Sequence, residues 1–305
     1  MTHTAEELGA KMDALGVWSL LEPFNFAVKP KGSAIPYFCT VLKGERKPVK
    51  VRFLMLDGWQ TLHDFVRTRF DVNFGFYSTP AEMPHLELVI VENGAPALFR
   101  HDPGYMPRPP TDAQRALAER ILWEAFGFML RVEADRKLPL KFADERAIFA
   151  RVEKGKEEWV DEPLVIPDPP PHVEKISFPK ADIKSAKDLP FAAEEALEVD
   201  FGIVPGVMTG DPRPRSVYAL VAADAKTGER LVDCRTSVSA DGGLRSLWES
   251  MPPRLLGEIV RLGRVPGEIK VRTMRVFRML RPLCLELPFK LSLHEKLDHL
   301  GQLVP

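Results

Sequence analysis

The first half of the chain contains three pairs of apolar runs, and a short polar turn separates the two runs of each pair. The paired runs are residues 37–42 with 49–56, 86–91 with 97–100, and 146–152 with 157–160. Such pairs are typical of β-hairpins. In the second pair, Asn93-Gly94 tolerates the positive φ angles of a type I′ turn. The pattern therefore predicts antiparallel strands.

Helical periodicity appears between and after these predicted strands. Apolar residues spaced for one helix face predict a short amphipathic helix over residues 59–70. A longer helix is predicted to begin near Thr111, because Thr111 and Gln114 have the spacing of a capping box. Antiparallel strands combined with helices predict an α+β N-terminal domain with an antiparallel sheet over residues 1–162.

The second half has a different order of elements. Three strands come first, and a helix, a strand, a second helix and a final strand follow. The predicted strands are 197–204, 216–223, 229–236, 268–272 and 289–293, and the predicted helices are 243–262 and 273–287. This order predicts a C-terminal α/β domain with a mixed sheet over residues 175–305. It is compatible with a ribonuclease-H-like fold, although many other α/β folds contain the same order.

A proline-rich segment lies between the two predicted domains. The chain has 28 prolines, and five of them fall between Pro163 and Pro171. Prolines in series lack backbone donors and favour extended polyproline geometry. We interpret residues 163–174 as a semi-rigid linker.

Composition narrows the class of protein. The chain has 305 residues, with 42 Lys and Arg against 43 Asp and Glu, so its formal net charge is −1. This balance excludes wholesale electrostatic binding to nucleic acid, although it leaves room for a local basic surface. The three scattered cysteines favour a reducing compartment, and no apolar run approaches the ~18 residues of a membrane span. We therefore expect a cytoplasmic protein with no membrane partner.

Common catalytic motifs are absent from the sequence. It contains no phosphate-binding loop with its lysine, no dinucleotide-binding glycine pattern, no serine elbow and no closely spaced cysteine pair. We therefore predict no cofactor, no metal ligands and no catalytic residues. The leading interpretation is a non-catalytic binding or scaffolding protein.

One charged segment stands out against this background. Residues 242–281 contain nine basic and three acidic residues. The candidate binding residues recur every three positions within the predicted helix region: Arg272, Arg275, Arg278 and Arg281. Neighbours at this spacing stay within ~60° around a helix, so the four arginines are expected on one broad face. Such a face would bind an anion, a nucleic acid or an acidic protein surface; the alternative is a solvated face whose arginines pair with nearby acids.

A second hypothesis comes from a different class of protein, a metal-dependent nuclease or hydrolase of ribonuclease-H-like architecture. Such enzymes bind two metal ions through several carboxylates. The candidate residues are Asp200, Asp224, Glu249 and Glu258. Arg272 weakens this hypothesis, because it ends the predicted strand at the point where the fold would need a metal-binding aspartate.

Several short motifs resemble an uncharacterised bacterial family of two-domain proteins. In the second half they are residues 218–228, residues 266–272, the spaced residues Phe277, Leu280, Pro282, Cys284 and Leu287, and the terminal Leu293, Leu297 and Asp298. In the first half, Asp102-Pro103-Gly104-Tyr105 before the long helix is similar to the N-terminal partner domain of that family. The resemblance implies an α+β domain followed by an α/β domain. It implies no activity and supplies no catalytic residues.

Overall fold

The computed structural model describes residues 3–21, 25–44, 46–69, 79–138, 146–155, 158–169, 175–209, 213–239 and 242–301. The chain divides into two compact units, each with its own sheet. The N-terminal unit comprises Met1–Val66, Thr79–Asp102 and Pro107–Pro170. The C-terminal unit comprises Arg67–Ser78, Pro103–Met106 and Pro171–Pro305.

The first sheet has seven strands in the order β5-β4-β3-β2-β1-β6-β7. The strands are β1 (Phe26–Lys29), β2 (Tyr37–Lys43), β3 (Val49–Asp57), β4 (His85–Val91), β5 (Ala97–His101), β6 (Ala147–Glu153) and β7 (Trp159–Val165). The helices are α1 (Ala5–Ala14), α2 (Val17–Leu21), α3 (Gly58–Arg69) and α4 (Asp112–Ala134). All neighbouring strands are antiparallel except β1 and β6, which are parallel.

Local sequence signals account for much of this unit. All three predicted hairpins form, as the β2–β3, β4–β5 and β6–β7 pairs. The predicted capping box starts α4, because the Thr111 side chain accepts from the Gln114 amide and the Gln114 side chain accepts from the Thr111 amide. The turn between β4 and β5 is longer than the expected two residues; Asn93 has a φ of 58°, whereas Gly94 is not among the positive-φ residues.

The two faces of this sheet carry different side chains. Alternate residues of β3 and β4, including Phe53, Met55, Leu86 and Leu88, belong to the hydrophobic core that also contains buried residues of α1 and α4. The residues between them point to the other face, because successive side chains of a strand alternate. On β4 the residues of this other face include His85 and Glu87, which are buried as well.

The second sheet has five strands in the order β10-β9-β8-β11-β12. These are β8 (Phe191–Met208), β9 (Arg215–Asp224), β10 (Arg230–Thr236), β11 (Val265–Val271) and β12 (Lys290–Leu293). The helices are α5 (Lys180–Lys187), α6 (Gly243–Glu249), α7 (Met251–Leu262) and α8 (Met274–Leu280), and α8 continues into a 3₁₀ helix over Arg281–Leu285. The first three strands are antiparallel, whereas β11 is parallel to both β8 and β12.

The helices of this unit share one core with one face of the sheet. Alternate β8 residues Leu197, Val199 and Phe201 cluster with buried residues of α5, α6, α7 and α8. On the opposite face, alternate β9 residues form a small cluster with Leu297 and Leu300 near the end of the described chain. The predicted fold class is confirmed, because both units combine helices with a sheet and the second sheet is mixed. The first sheet, predicted to be antiparallel, is so except for the parallel pair β1 and β6.

Several boundaries differ from the sequence-based expectations. Residues 163–165 of the predicted linker belong to β7, and residues 170–174 of that linker lie outside the described residues. The helix predicted over 243–262 is two helices separated at Ser250, and the helix predicted over 273–287 is only seven residues of α8 plus the 3₁₀ turn. The helices α1, α2 and α5 and the strand β1 were not predicted. Among the described residues, no helix is long and apolar enough to span a membrane.

Candidate functional site

Arg272 is held within the C-terminal unit by an ion pair. Its guanidinium Nη2 lies 2.7 Å from Asp200 Oδ2, and the exposed fractions of the two side chains are 14% and 2%. Burial raises the pKa of Asp200, and the charge and hydrogen bond of Arg272 oppose that shift. Arg272 follows β11 and precedes α8, so it does not lie on the helix at all.

Arg275 is buried against Trp248 of α6. Its side chain is 2% exposed, and its guanidinium carbon lies 3.6 Å from the centre of the Trp248 ring. On α8 it lies one turn before Met279, which is itself buried, so this face of the helix is directed inward. Arg278 is partly exposed and Arg281 is exposed. The expected row of four water-facing arginines is therefore not formed, and only Arg278 and Arg281 remain accessible.

The side chains of Asp200 and Asp224 lie on opposite faces of the second sheet. Asp224 is paired with Leu197 across β8 and β9, and Leu197 packs in the helix-side core. Asp200 is three residues after Leu197 on β8. Because successive side chains of a strand alternate, its side chain lies on the face opposite to that of Leu197. Asp224 caps its own turn, because its Oδ1 accepts from the amides of Lys226 and Thr227 at 2.9 and 2.7 Å.

Glu249 and Glu258 are each committed to local contacts. Glu249 accepts from Arg245 Nε at 3.0 Å and from the Lys175 amide at 2.8 Å. Glu258 accepts from Arg261 Nε at 2.6 Å and from the Cys234 thiol at 3.4 Å. The structure gives the four carboxylates separate partners and does not bring Asp200 and Asp224 together.

A basic groove runs along α5, which the sequence analysis did not predict. Lys180, Lys184 and Lys187 are spaced by four and three residues, so they share one face of this helix, and all three are exposed. They line a groove of about 540 Å³ together with the apolar Phe178 and Ile183 and the acidic Asp188 and Glu286. Three lysines against two carboxylates leave the groove with a small net positive charge beside its apolar surface.

A second arrangement that the sequence analysis missed lies in the N-terminal unit. His85, Glu87 and His101 are all buried, and their candidate ligand atoms lie within 4.8 Å of one another. Burial, followed by the nearby His101, lowers the pKa of His85 to about 3. Burial alone would raise the pKa of Glu87, but hydrogen bonds from His101 and Arg52 outweigh it and lower that pKa to about 2. The sequence signal was His85 and Glu87 two residues apart, at the start of the strand predicted over 86–91.

Comparison with known protein families adds one finding. Residues 182–304 match the family model of a domain of unknown function, DUF6930. This match agrees with the resemblance of the second half to a domain of unknown function. No curated protein and no solved structure matches the chain. The DUF6930 region thus covers α5 from Asp182 onward, the second sheet and the arginine segment.

Proposed function

We propose that this protein is a cytoplasmic, non-catalytic binding protein whose C-terminal unit binds an acidic segment of a partner protein. The observation that carries the proposal is the α5 groove, where three exposed lysines at helical spacing lie beside Phe178 and Ile183. Lysine ammonium groups attract carboxylates, and an apolar surface accommodates the side chains between them. The scattered cysteines support the cytoplasmic location.

Two of the three lysines have their charge available for a partner. Lys187 pairs with Glu286 at 2.8 Å. Lys180 and Lys184 have no ion-pair partner within the part of the chain that the structure describes. An acidic segment would therefore meet two uncompensated cations at one end of the groove. At the other end it would meet Asp188 and Glu286, which would repel an acidic residue there and so favour one orientation.

The competing nuclease hypothesis receives less support from the same domain. The strand order and directions of the second sheet support a ribonuclease-H-like fold, which we propose for the C-terminal unit. A two-metal mechanism, however, requires carboxylates that converge. The ion pair between Asp200 and Arg272 and the opposite orientation of Asp224 both count against such a centre.

Charge reversal in the groove tests the proposal. We would measure binding of the full chain to a fluorescent peptide of alternating Glu and Leu, with a Lys–Leu peptide as the probe of opposite charge. The variant Lys180→Glu/Lys184→Glu should weaken binding of the acidic peptide about 10-fold at low salt, since each exposed ion pair contributes up to ~1 kcal/mol. The matched control is Lys226→Glu/Lys296→Glu, which reverses two exposed charges of the same unit outside the groove.

Three outcomes would contradict the groove as the binding surface. The first is equal binding by the groove variant and the wild type, and the second is an equal loss in the control variant. The third is tighter binding of a single-stranded DNA oligonucleotide than of the acidic peptide, which would point to nucleic acid.

A further variant, Arg278→Glu/Arg281→Glu, measures how much of the binding depends on the two accessible arginines. If that variant alone abolished binding, the interaction would belong to the arginine segment.

A further inference from the structure

Two neighbouring strands of the N-terminal unit bring two histidines and one glutamate to the same face of the sheet. His85 and Glu87 are two residues apart on β4, so their side chains leave the same face. His101 ends β5 and is paired with His85 in the antiparallel register. Directly opposed residues have Cβ atoms about 4.5–5.5 Å apart, so the pairing places the two imidazoles next to each other.

The three side chains converge through one atom each. His101 Nε2 lies 2.5 Å from Glu87 Oε2, and His85 Nε2 lies 4.0 Å from the same oxygen. The two imidazole rings are stacked with their centres 4.2 Å apart. The atoms that face one another are therefore two imidazole nitrogens and one carboxylate oxygen, which are common metal ligands.

Neighbouring groups orient two of these side chains from outside. His85 Nδ1 donates to the Met83 carbonyl at 2.8 Å, so the neutral ring presents the lone pair of Nε2 to the cluster. Arg52 Nε donates to Glu87 Oε1, which leaves Oε2 facing the histidines. A ligand that is hydrogen-bonded through its other atom is typical of metal sites, because the outer contact fixes the tautomer and the orientation.

The buried Nε2 of His85 has no hydrogen-bond partner. His85 is fully buried, and a buried acceptor without a donor is destabilising. A metal ion bound to this nitrogen would satisfy its lone pair. The contact between Glu87 and His101 alone does not, because His85 Nε2 remains outside hydrogen-bond distance of that carboxylate.

We propose that His85 Nε2, Glu87 Oε2 and His101 Nε2 together bind one divalent metal ion, and that this ion is Zn²⁺. Two imidazoles and one carboxylate suit Zn²⁺ and its first-row neighbours, whereas Mg²⁺ and Ca²⁺ prefer sites made of oxygen ligands. Ligands bound to Zn²⁺ at ~2.1 Å in tetrahedral geometry lie ~3.4 Å apart. Binding therefore requires the 4.0 Å separation to shorten, the 2.5 Å separation to lengthen, and the stacked rings to turn until both Nε2 lone pairs face the ion. Three protein ligands leave the fourth position open.

The first experiment measures metal binding by the wild-type full chain. The protein is stripped with a chelator and dialysed against Zn²⁺, and the bound metal is then measured by elemental analysis. Co²⁺ is added to a second sample, because tetrahedral Co²⁺ with nitrogen ligands absorbs visible light. We expect one equivalent of Zn²⁺ and a Co²⁺ spectrum that Zn²⁺ removes but Mg²⁺ does not. Less than 0.2 equivalents of Zn²⁺ with no Co²⁺ spectrum would overturn the proposal, whatever the behaviour of any variant.

Variants of two of the three residues test the assignment of the binding to this cluster. Glu87→Gln and His101→Gln should each lower the Zn²⁺ affinity at least 100-fold, and their far-UV circular dichroism tests whether they fold. The matched control is His294→Gln, because His294 lies in the other unit and is partly exposed, so the substitution removes a histidine that could bind metal adventitiously. Retention of the equivalent in both cluster variants, or its loss in the control, would refute the assignment. If one cluster variant fails to fold, the other decides the assignment, and the wild-type Co²⁺ spectrum still decides whether the metal binds.

Discussion

Breaking the buried ion pair between Arg272 and Asp200 should destabilise the C-terminal unit. The perturbation is Arg272→Met, which keeps most of the side-chain volume but removes the charge that lies 2.7 Å from a carboxylate with 2% of its side chain exposed. Removing one member of a buried pair leaves an uncompensated charge and costs about 3–5 kcal/mol. We therefore expect the free energy of unfolding of this unit to fall by about that amount at pH 7.

A matched substitution separates this effect from the loss of an ordinary ion pair. Arg264→Met breaks a contact with Glu195 in the same sheet, where both side chains are more than a third exposed. Exposed pairs contribute at most ~1 kcal/mol, so this control should change the stability little. The assay is hydrogen exchange of β8 and β11 amides during urea titration, because it reports on the C-terminal unit alone. Equal losses of stability in the two variants would show that burial of the Arg272–Asp200 pair does not set its contribution.

The pH dependence gives a second measurement on the same variant. Burial raises the pKa of Asp200, so the native state holds a proton more tightly than the unfolded chain does. The free energy of unfolding therefore falls as the pH rises from the ordinary pKa of an aspartate to the raised pKa of Asp200. Without Arg272 this fall is larger. The destabilisation caused by Arg272→Met should shrink when the pH is lowered towards 4. A constant difference from pH 4 to pH 7 would show that the carboxylate is not the cause.

Three further predictions concern individual side chains. Arg275→Met removes the guanidinium that packs on Trp248, and we expect a loss of about 1–3 kcal/mol in the C-terminal unit by urea unfolding, whereas Arg281→Met at the exposed position should cost under ~0.5 kcal/mol. Thr111→Ala removes the N-cap of α4 and should cost about 1 kcal/mol in the N-terminal unit, a loss that Thr111→Ser should largely avoid. Burial raises the pKa of Asp57 to about 6 despite its pairing with Arg100, so the ionised carboxylate destabilises the native state as the pH rises from about 4 to 6. Asp57→Asn should therefore gain thermal stability relative to wild type across that range, and no gain would contradict the raised pKa.

Sequence patterns that span only a few residues predicted the local structure correctly. The hairpins over β2–β3, β4–β5 and β6–β7 and the capping box at Thr111 depend on residues that are close along the chain. The elements that were missed are mostly short. The strand β1 has four residues and the helix α2 has five, which is too few for a periodic pattern to emerge. Helix α5 has eight residues, and its lysines were not recognised as one face.

The arginine segment shows where sequence reasoning failed. A spacing of three residues predicts neighbours on a helix face only if the helix spans all four positions. Here α8 begins at Met274 and ends at Leu280, so Arg272 and Arg281 lie outside it. Whether Arg275 faces water depends on what packs against α8, and it packs against Trp248 of α6. No local pattern contains that information.

Local sequence patterns were enough to predict the order of most strands and helices, the antiparallel character of the first half, and the mixed sheet of the second. These features follow from hydrophobic periodicity and turn residues, which act over a few positions. Which charges are buried, and which side-chain atoms come into contact, depends on how the strands and helices pack in the folded chain. His85 and His101 become neighbours through the register of β4 with β5, and Asp200 meets Arg272 because β8 lies beside β11. Strand pairing and helix packing join residues that are distant in the chain, and the free energy of those contacts belongs to the whole fold.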